Sequence, residues 1–162
     1  MSLFTLQPIG VIRTPFKSVK GMPIQPTGAV DVAGQVVVDQ TYAEGLDDIE
    51  GFSHIILLYL FHHSKGFELQ VKPFLDDKPH GLFATRAPRR PNPVGLSVVP
   101  LLRREANVLH VGAIDVVDQT PLIDIKPYVP AFDAPAVTAV GWLAGKTPYA
   151  LQVRADSRFE AD

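Results

Sequence analysis

The 162-residue sequence contains no cysteine. Disulfide bonds and thiolate metal sites are therefore excluded, which is typical of a cytoplasmic protein. No apolar run approaches the twenty or so residues that a membrane-spanning helix requires, because the longest run, residues 55–61, has the length of a buried strand. The first residues show no basic stretch followed by a long apolar one, so we expect neither a secretory signal nor a membrane partner.

Several motifs of nucleotide-dependent enzymes are also missing. The sequence has no GxGxxG after a first strand, no GxxxxGK[ST] loop and no GxSxG elbow, which argues against a Rossmann-type enzyme. It has no helical HExxH spacing, and the adjacent His62 and His63 would point to opposite faces of a strand unless the strand has already ended. We therefore predict no metal site. One of these rings is expected to pack, and the other to be solvated or to contact a ligand from the strand's end.

The net charge of −2 and the pI of about 6.2 argue against a protein that coats nucleic acid nonspecifically. Positive charge is nevertheless concentrated locally, since five arginines fall within residues 86–104. The sequence therefore allows one basic site on an otherwise acidic protein.

Fifteen prolines and twelve glycines separate short segments rich in valine, isoleucine and leucine. This pattern predicts a single, mainly β domain with many turns and few short helices. One short helix is expected within residues 42–49, a hairpin from residues 96–102 and 108–117, and a frayed polar tail over residues 157–162. The other predicted strands are residues 9–13, 29–38, 55–61, 67–71, 81–85, 122–128 and 137–143.

The stretch with the clearest chemistry is residues 83–97, which we call the Arg/Pro loop. It holds three arginines and three prolines. Proline fixes φ and restricts the residue before it, so Ala87, Arg90 and Asn92 should be held in stiff, non-helical geometry. Stiffly held guanidinium groups suit an anionic ligand, although a solvated surface turn is the alternative. Asn92, which precedes Pro93, should present its side-chain amide in a fixed direction.

Acidic residues Asp115, Asp118 and Asp124 follow or interrupt apolar segments. A carboxylate in such a place can cap a turn. It can also accept hydrogen bonds from a ribose hydroxyl or a ligand ammonium group. The residues alone leave both interpretations open.

Taken together, these stretches resemble the TsaA-like family, the TrmO-type tRNA methyltransferases. The similarity covers about residues 6–143, with several motifs in the same order and at compatible spacing. The matching motifs are IGVIRTPF at 9–16, PIQP at 23–26, EGFSH at 50–54, FHH at 61–63, FATRAPRRPNPVGLS at 83–97, DVVDQTP at 115–121 and DIKPY at 124–128.

This resemblance implies an antiparallel β-barrel-like domain of non-Rossmann type, a homodimer, and S-adenosyl-L-methionine as methyl donor. It implies methylation of the exocyclic amine of a threonylcarbamoyl-modified adenosine next to a tRNA anticodon. The cofactor contacts that it implies are Gln25, Pro26, His62, His63, Arg86, Leu96, Asp115, Val116, Val117 and Asp118.

Within that framework each polar residue receives an expected role. Arg86 would pair with the donor's carboxylate, and Asp115 or Asp118 would accept from ribose hydroxyls or the ammonium group. Arg89 and Arg90 are candidates for tRNA phosphate or the threonylcarbamoyl carboxylate. Asn92 is the candidate catalytic residue, because it could orient the amine that accepts the methyl group.

The expected organisation is an S-adenosylmethionine-binding β domain over residues 1–145 and a short C-terminal extension over residues 146–162. Many bacterial family members carry an additional C-terminal domain thought to help hold tRNA, and from the short stretch after Trp142 we expect none here. Methylation of a small metabolite is therefore the alternative to tRNA methylation. A non-catalytic ligand-binding β domain is the third interpretation.

Overall fold

The computed structural model describes residues 3–156 and residue 158; the other residues of the predicted frayed tail lie outside the described part. Six of its strands form a closed antiparallel barrel in the order β1-β2-β7-β6-β3-β8, and β4 and β5 form a separate two-stranded sheet. The strands are β1 (Gly10–Arg13), β2 (Gly34–Val38), β3 (His54–Leu60), β4 (Gln70–Val71), β5 (His80–Gly81), β6 (Val94–Glu105), β7 (Val108–Val111) and β8 (Thr120–Pro127). The predicted fold class, a mainly antiparallel β domain with few short helices, is confirmed.

Strand β3 pairs with β6 on one side and with β8 on the other, and it corresponds to the strand expected over residues 55–61. Its alternate residues Ile55, Leu57 and Tyr59 point into the barrel, where they join the buried core. The remaining core side chains come from the other barrel strands, from Leu46 between β2 and β3, and from the segment after β7. The strand and post-β7 residues are Ile12, Val36, Val38, Val99, Leu109, Val111, Ile114, Val116 and Leu122.

The helical elements are short and mostly of the 3-10 type. The helix predicted within residues 42–49 is a 3-10 helix at Gln40–Leu46. The single α-helix among the described residues, α1, covers Pro130–Asp133. The other 3-10 helices are Pro26–Gly28, Ile49–Gly51, Leu82–Ala84, Gly141–Leu143 and Thr147–Leu151.

Two predicted strands are shorter than expected because the chain turns. The strand predicted over 29–38 begins at Gly34, since residues 26–32 form a 3-10 helix and a following turn. The strand predicted over 108–117 ends at Val111, because Ala113 adopts a positive φ of 48° just beyond it. Asp115 therefore lies in a loop, and the expectation that it interrupts a strand was wrong. The predicted hairpin is confirmed by the pairing of β6 with β7.

Three further predicted strands are largely wrong. Of residues 67–71 only Gln70–Val71 pair, because their partner β5 is itself two residues long. Residues 82–84 of the segment 81–85 coil into a 3-10 helix, whose first carbonyl, that of Leu82, accepts from the Thr85 hydroxyl. Residues 137–143 form none of the strands in the described part of the chain, and Val137 is 70% exposed.

The C-terminal segment folds back onto two loops. The Trp142 indole donates to the carbonyl of Ala84 at 2.7 Å, and its ring stacks on that of His80. Further on, Ala155 exchanges backbone hydrogen bonds with Gly21 and Met22. The segment thus contacts both the residues before the first 3-10 helix and the Arg/Pro loop. None of the helices in the described part of the chain is long and apolar enough to cross a membrane.

Candidate functional site

A pocket of about 240 Å³ lies where the Arg/Pro loop meets the first 3-10 helix and the start of β6. It combines one cationic side chain with apolar and hydroxyl groups. The lining residues are Gln25, Pro26, Thr27, Arg86, Leu96, Ser97 and Val98.

The Arg/Pro loop places Arg86 at this pocket by folding around a different arginine. Nη1 of Arg90 lies 3.0–3.4 Å from the backbone carbonyls of Leu82, Thr85 and Ala87. This one guanidinium nitrogen therefore holds three carbonyls of the loop region together. Leu82 and Ala87 are buried beneath it. Arg86, between these anchors, is exposed, and its Nη1 donates to Oε1 of Gln25 at 3.1 Å. Gln25 and Arg86, both expected to contact the cofactor, are therefore joined by a direct hydrogen bond.

The start of β6 is shaped by a close approach between Gly95 and Tyr59. The two residues are cross-strand partners, and a Cβ on Gly95 would lie 2.2 Å from Tyr59 Cε2. The Tyr59 ring therefore lies over the glycine, with Phe61 edge-on at 5.6 Å between centroids. This packing fixes where the Tyr59 hydroxyl points.

That hydroxyl begins a buried chain of hydrogen bonds. The Tyr59 hydroxyl lies 2.9 Å from Ser97 Oγ, and Ser97 Oγ donates to Asp115 Oδ1 at 2.7 Å. Because the single Ser97 proton goes to the carboxylate, Tyr59 must donate to Ser97. Both hydroxyl dipoles therefore point toward Asp115.

Burial raises the pKa of Asp115 to about 6, while the Ser97 hydrogen bond and the nearby Arg86 charge act in the opposite direction. Burial, with the Asp115 charge as second cause, also raises the pKa of Tyr59 well above its ordinary value. The positive charge of Arg86 thus lies at the pocket, and the negative charge of an ionised Asp115 lies directly behind Ser97.

Asp118 has a different environment from Asp115. Its carboxylate accepts from Lys17 Nζ and from the backbone N–H of Thr14, and the Lys17 contact is the main reason why its pKa is lowered to about 2. The Thr14 hydroxyl in turn donates to the carbonyl of Val116. These bonds hold the 115–118 turn against the end of β1.

The two histidines lie together just after β3. Their rings are 4.0 Å apart between centroids, and Nδ1 of His62 lies 3.3 Å from the Thr120 hydroxyl. Partial burial, followed by the neighbouring His63, lowers the pKa of His62. Since the Thr120 hydroxyl donates to the carbonyl of Val117, His62 lies beside the same turn that carries Asp118.

The pocket thus unites Gln25, Pro26, Arg86 and Leu96, four of the residues expected to bind the cofactor. Asp115 is one hydrogen bond behind it. The predicted residues that do not line it are His62, His63, Arg89, Arg90, Asn92, Val116, Val117 and Asp118. Their roles stay predictions.

Four residues of this region were not anticipated from the sequence: Tyr59, Thr27, Ser97 and Val98. Ser97 did leave a signal, because it is a polar residue at an alternate, inward position of an apolar strand. Tyr59 left none, since its contact with Ser97 depends on the β3–β6 register. Within the described residues, no three histidine, aspartate or glutamate side chains come together as a metal site.

Comparison with known proteins identifies the family. The model of the tRNA-methyltransferase O N-terminal domain matches residues 11–134. A Pyrococcus abyssi protein named as a probable S-adenosyl-L-methionine-binding protein is 50% identical over 94% of this chain and 83% of its own length. The tRNA (adenine(37)-N6)-methyltransferase of Escherichia coli is 37% identical over 80% of this chain, which spans 60% of that enzyme.

A solved structure shows the same fold. The crystal structure of TrmO from Pseudomonas aeruginosa superposes with a TM-score of 0.73 at 38% identity, covering 87% of this chain and 63% of that one. The resemblance drawn from the sequence motifs is therefore confirmed. The chain belongs to the family of the tRNA-methyltransferase O N-terminal domain.

Proposed function

We propose that this protein is an S-adenosyl-L-methionine-dependent methyltransferase that methylates the exocyclic amine of an adenine in tRNA. Its relatives support both halves of this proposal, since one is named a probable S-adenosyl-L-methionine-binding protein and another a tRNA (adenine(37)-N6)-methyltransferase. The observation that carries it is the pocket itself, where Arg86 lies among apolar side chains and Asp115 lies one hydrogen bond behind Ser97.

The side chains present fit the chemistry of such a donor. Arg86 offers a planar fork of donors to the carboxylate of the amino acid moiety. The Asp115 carboxylate suits ribose hydroxyls or the ammonium group. Leu96, Val98 and Pro26 provide apolar surface for the adenine ring. When bound, S-adenosylmethionine supplies an electrophilic methyl group.

For the acceptor, we propose a threonylcarbamoyl-modified adenosine next to the anticodon. Asn92 is exposed on the Arg/Pro loop, and its side-chain amide is our candidate for orienting the acceptor amine. Orientation is the main requirement, because transfer needs the nitrogen about 3–3.5 Å from the methyl carbon. Arg89 and the guanidinium nitrogens of Arg90 other than Nη1 are candidates for the anionic groups of the substrate.

Calorimetric titration with S-adenosylmethionine tests the donor half. We expect wild-type protein to bind with micromolar or tighter affinity and Arg86→Ala to lose most of that binding while it stays folded. Arg103→Ala is the matched control, because Arg103 lies on β6 away from the pocket and pairs with Glu105. Wild-type protein that gives neither heat of binding nor a thermal shift would refute the proposal.

Incubation with labelled donor and bulk tRNA tests the acceptor half. Label in tRNA, and its absence with Arg86→Ala, is the expected outcome. Label that enters small molecules from an extract but never tRNA would favour the alternative, methylation of a small metabolite. Donor binding without transfer to any acceptor would favour a non-catalytic ligand-binding domain.

We further propose a cytoplasmic homodimer. The outward residues of β3, Ile56, Leu58 and Leu60, form an apolar face of the barrel next to the pocket residues Leu96 and Val98 of β6. This apolar barrel face supports association with a second copy. Sedimentation of Leu58→Lys should show a monomer, whereas the control Val30→Lys, at an exposed site elsewhere, should remain dimeric. A monomeric wild type at micromolar concentration would contradict the dimer.

A further inference from the structure

The buried hydroxyls of Tyr59 and Ser97 have no assigned task in donor binding. Yet Ser97 lines the pocket on one side and donates to Asp115 on the other. It is 1% exposed as a residue, and Tyr59 is 4% exposed. Two neutral hydroxyls buried in an apolar barrel are retained at a desolvation cost unless their hydrogen bonds are satisfied, which is the case for both.

The hydrogen bonds of Tyr59, Ser97 and Asp115 all run in one direction. Tyr59 donates to Ser97, and Ser97 donates to Asp115 Oδ1, so each hydroxyl proton is used in a hydrogen bond. The Tyr59 ring cannot swing away, because Gly95 lies directly under it and Phe61 packs against its edge. A rigid donor therefore meets the carboxylate at a fixed point, and the remaining lone pairs of Asp115 are left for other partners.

We propose that Ser97, oriented by Tyr59, is a positioning residue that holds the Asp115 carboxylate beside Arg86 for the hydroxyl or ammonium donors of the bound nucleoside. This inference rests on the proposed function, since it assigns Asp115 to that ligand. Ser97 acts through Asp115 and keeps it ionised, because a hydrogen bond donated to a carboxylate favours the charged form.

The groups that act on Asp115 are few. Ser97, Arg86 and its own backbone N–H favour the carboxylate, whereas burial opposes it, and Tyr59 reaches it through Ser97. Loss of the Ser97 hydroxyl therefore removes a main contribution to ionisation while it leaves Arg86 in place. The Asp115 pKa, near 6 in the wild type, should move up.

Nuclear magnetic resonance titration of the Asp115 side-chain carbon in the ligand-free protein tests this directly. We expect a higher midpoint in Ser97→Ala and a smaller rise in Tyr59→Phe, which keeps the ring and so protects the fold. Ser53→Ala, which removes an exposed hydroxyl bonded to His54, should leave the midpoint unchanged. An unchanged midpoint in both Ser97→Ala and Tyr59→Phe would overturn the proposal.

Calorimetry with S-adenosylmethionine at several pH values gives the second readout. If the Asp115 pKa rises by about one pH unit in Ser97→Ala, affinity falls about fivefold at pH 6 and hardly changes at pH 8. An equal loss at both pH values would indicate a packing defect and overturn the positioning role. Wild-type protein that never binds the donor, with the Asp115 midpoints shifting as expected, would refute the proposed function and leave the Tyr59–Ser97 effect on Asp115 standing.

Discussion

The replacement Gly95→Ala should be strongly destabilising although it adds only one methyl group. A Cβ at this position would lie 2.2 Å from Cε2 and 2.6 Å from Cζ of Tyr59, and 2.9 Å from Cζ of Phe61. All three atoms belong to aromatic rings, which can yield only by moving as rigid units. Tyr59 is 4% exposed within the barrel core, so its ring can move only by displacing other buried groups.

The size of the effect follows from the cost of overpacking. Forcing an extra methyl group into a well-packed core costs about 1–3 kcal/mol. For a domain of this length, each kcal/mol lowers Tm by about 2–4 °C, so the expected loss is between about 2 and about 12 °C. Displacement of the Tyr59 ring should also disturb the bond between its hydroxyl and Ser97, and thereby weaken donor binding.

Urea denaturation of the purified variants measures this cost. Gly45→Ala is the matched control, because Gly45 lies in the 3-10 helix Gln40–Leu46 and an added Cβ there meets no atom within 4 Å. We expect the control to change stability by less than about 0.5 kcal/mol. Adding Gly95→Ala to a Tyr59→Leu background should cost less than adding it to the wild type, because the clashing ring is gone. Equal stability of Gly95→Ala and Gly45→Ala would refute the packing argument.

Two further variants test other parts of the structure. In Asp115→Asn the difference from the wild type should depend on pH: burial raises the folded pKa above the unfolded 3.8 to about 6, so ionisation lowers wild-type stability as pH rises through that window. Thermal unfolding should show Asp115→Asn gaining up to about 3 kcal/mol relative to the wild type between pH 4 and pH 7, and parallel curves would contradict this cause. Trp142→Ala should lose about 1–2 kcal/mol through the lost bond to Ala84 and the lost stack on His80, whereas Trp142→Phe should keep part of the stack; denaturation midpoints identical to the wild type would show that the C-terminal segment does not brace the Arg/Pro loop.

The sequence predicted the parts of the fold that depend on local pattern. The apolar run at 55–61 indicated a buried strand, and β3 lies there, paired with β6 and β8. The hairpin of β6 and β7 was visible because a polar turn separates two apolar segments. The strand predicted over residues 137–143 was wrong, because apolar composition alone does not show whether a segment has a strand to pair with.

Site residues could be predicted from the sequence only where they belong to a recognisable motif. Gln25 and Arg86 belong to separate motifs, and the structure joins them by a hydrogen bond. The contact of Tyr59 with Ser97 depends on the register of β3 against β6. Tyr59 lies opposite Gly95, and its hydroxyl reaches diagonally to Ser97, the next inward-facing residue of β6. The structural role of Arg90 could not be predicted either, since nothing in its sequence context shows that its guanidinium binds loop carbonyls.

The most direct test of the central claim is mass spectrometry of nucleosides from tRNA incubated with the purified protein and S-adenosylmethionine. We predict that the threonylcarbamoyl-modified adenosine gains the mass of one methyl substitution in the presence of wild-type protein and does not with Arg86→Ala. Arg103→Ala should behave as the wild type. Wild-type protein that leaves every adenosine of the tRNA unmethylated, while it still binds the donor, would contradict the account.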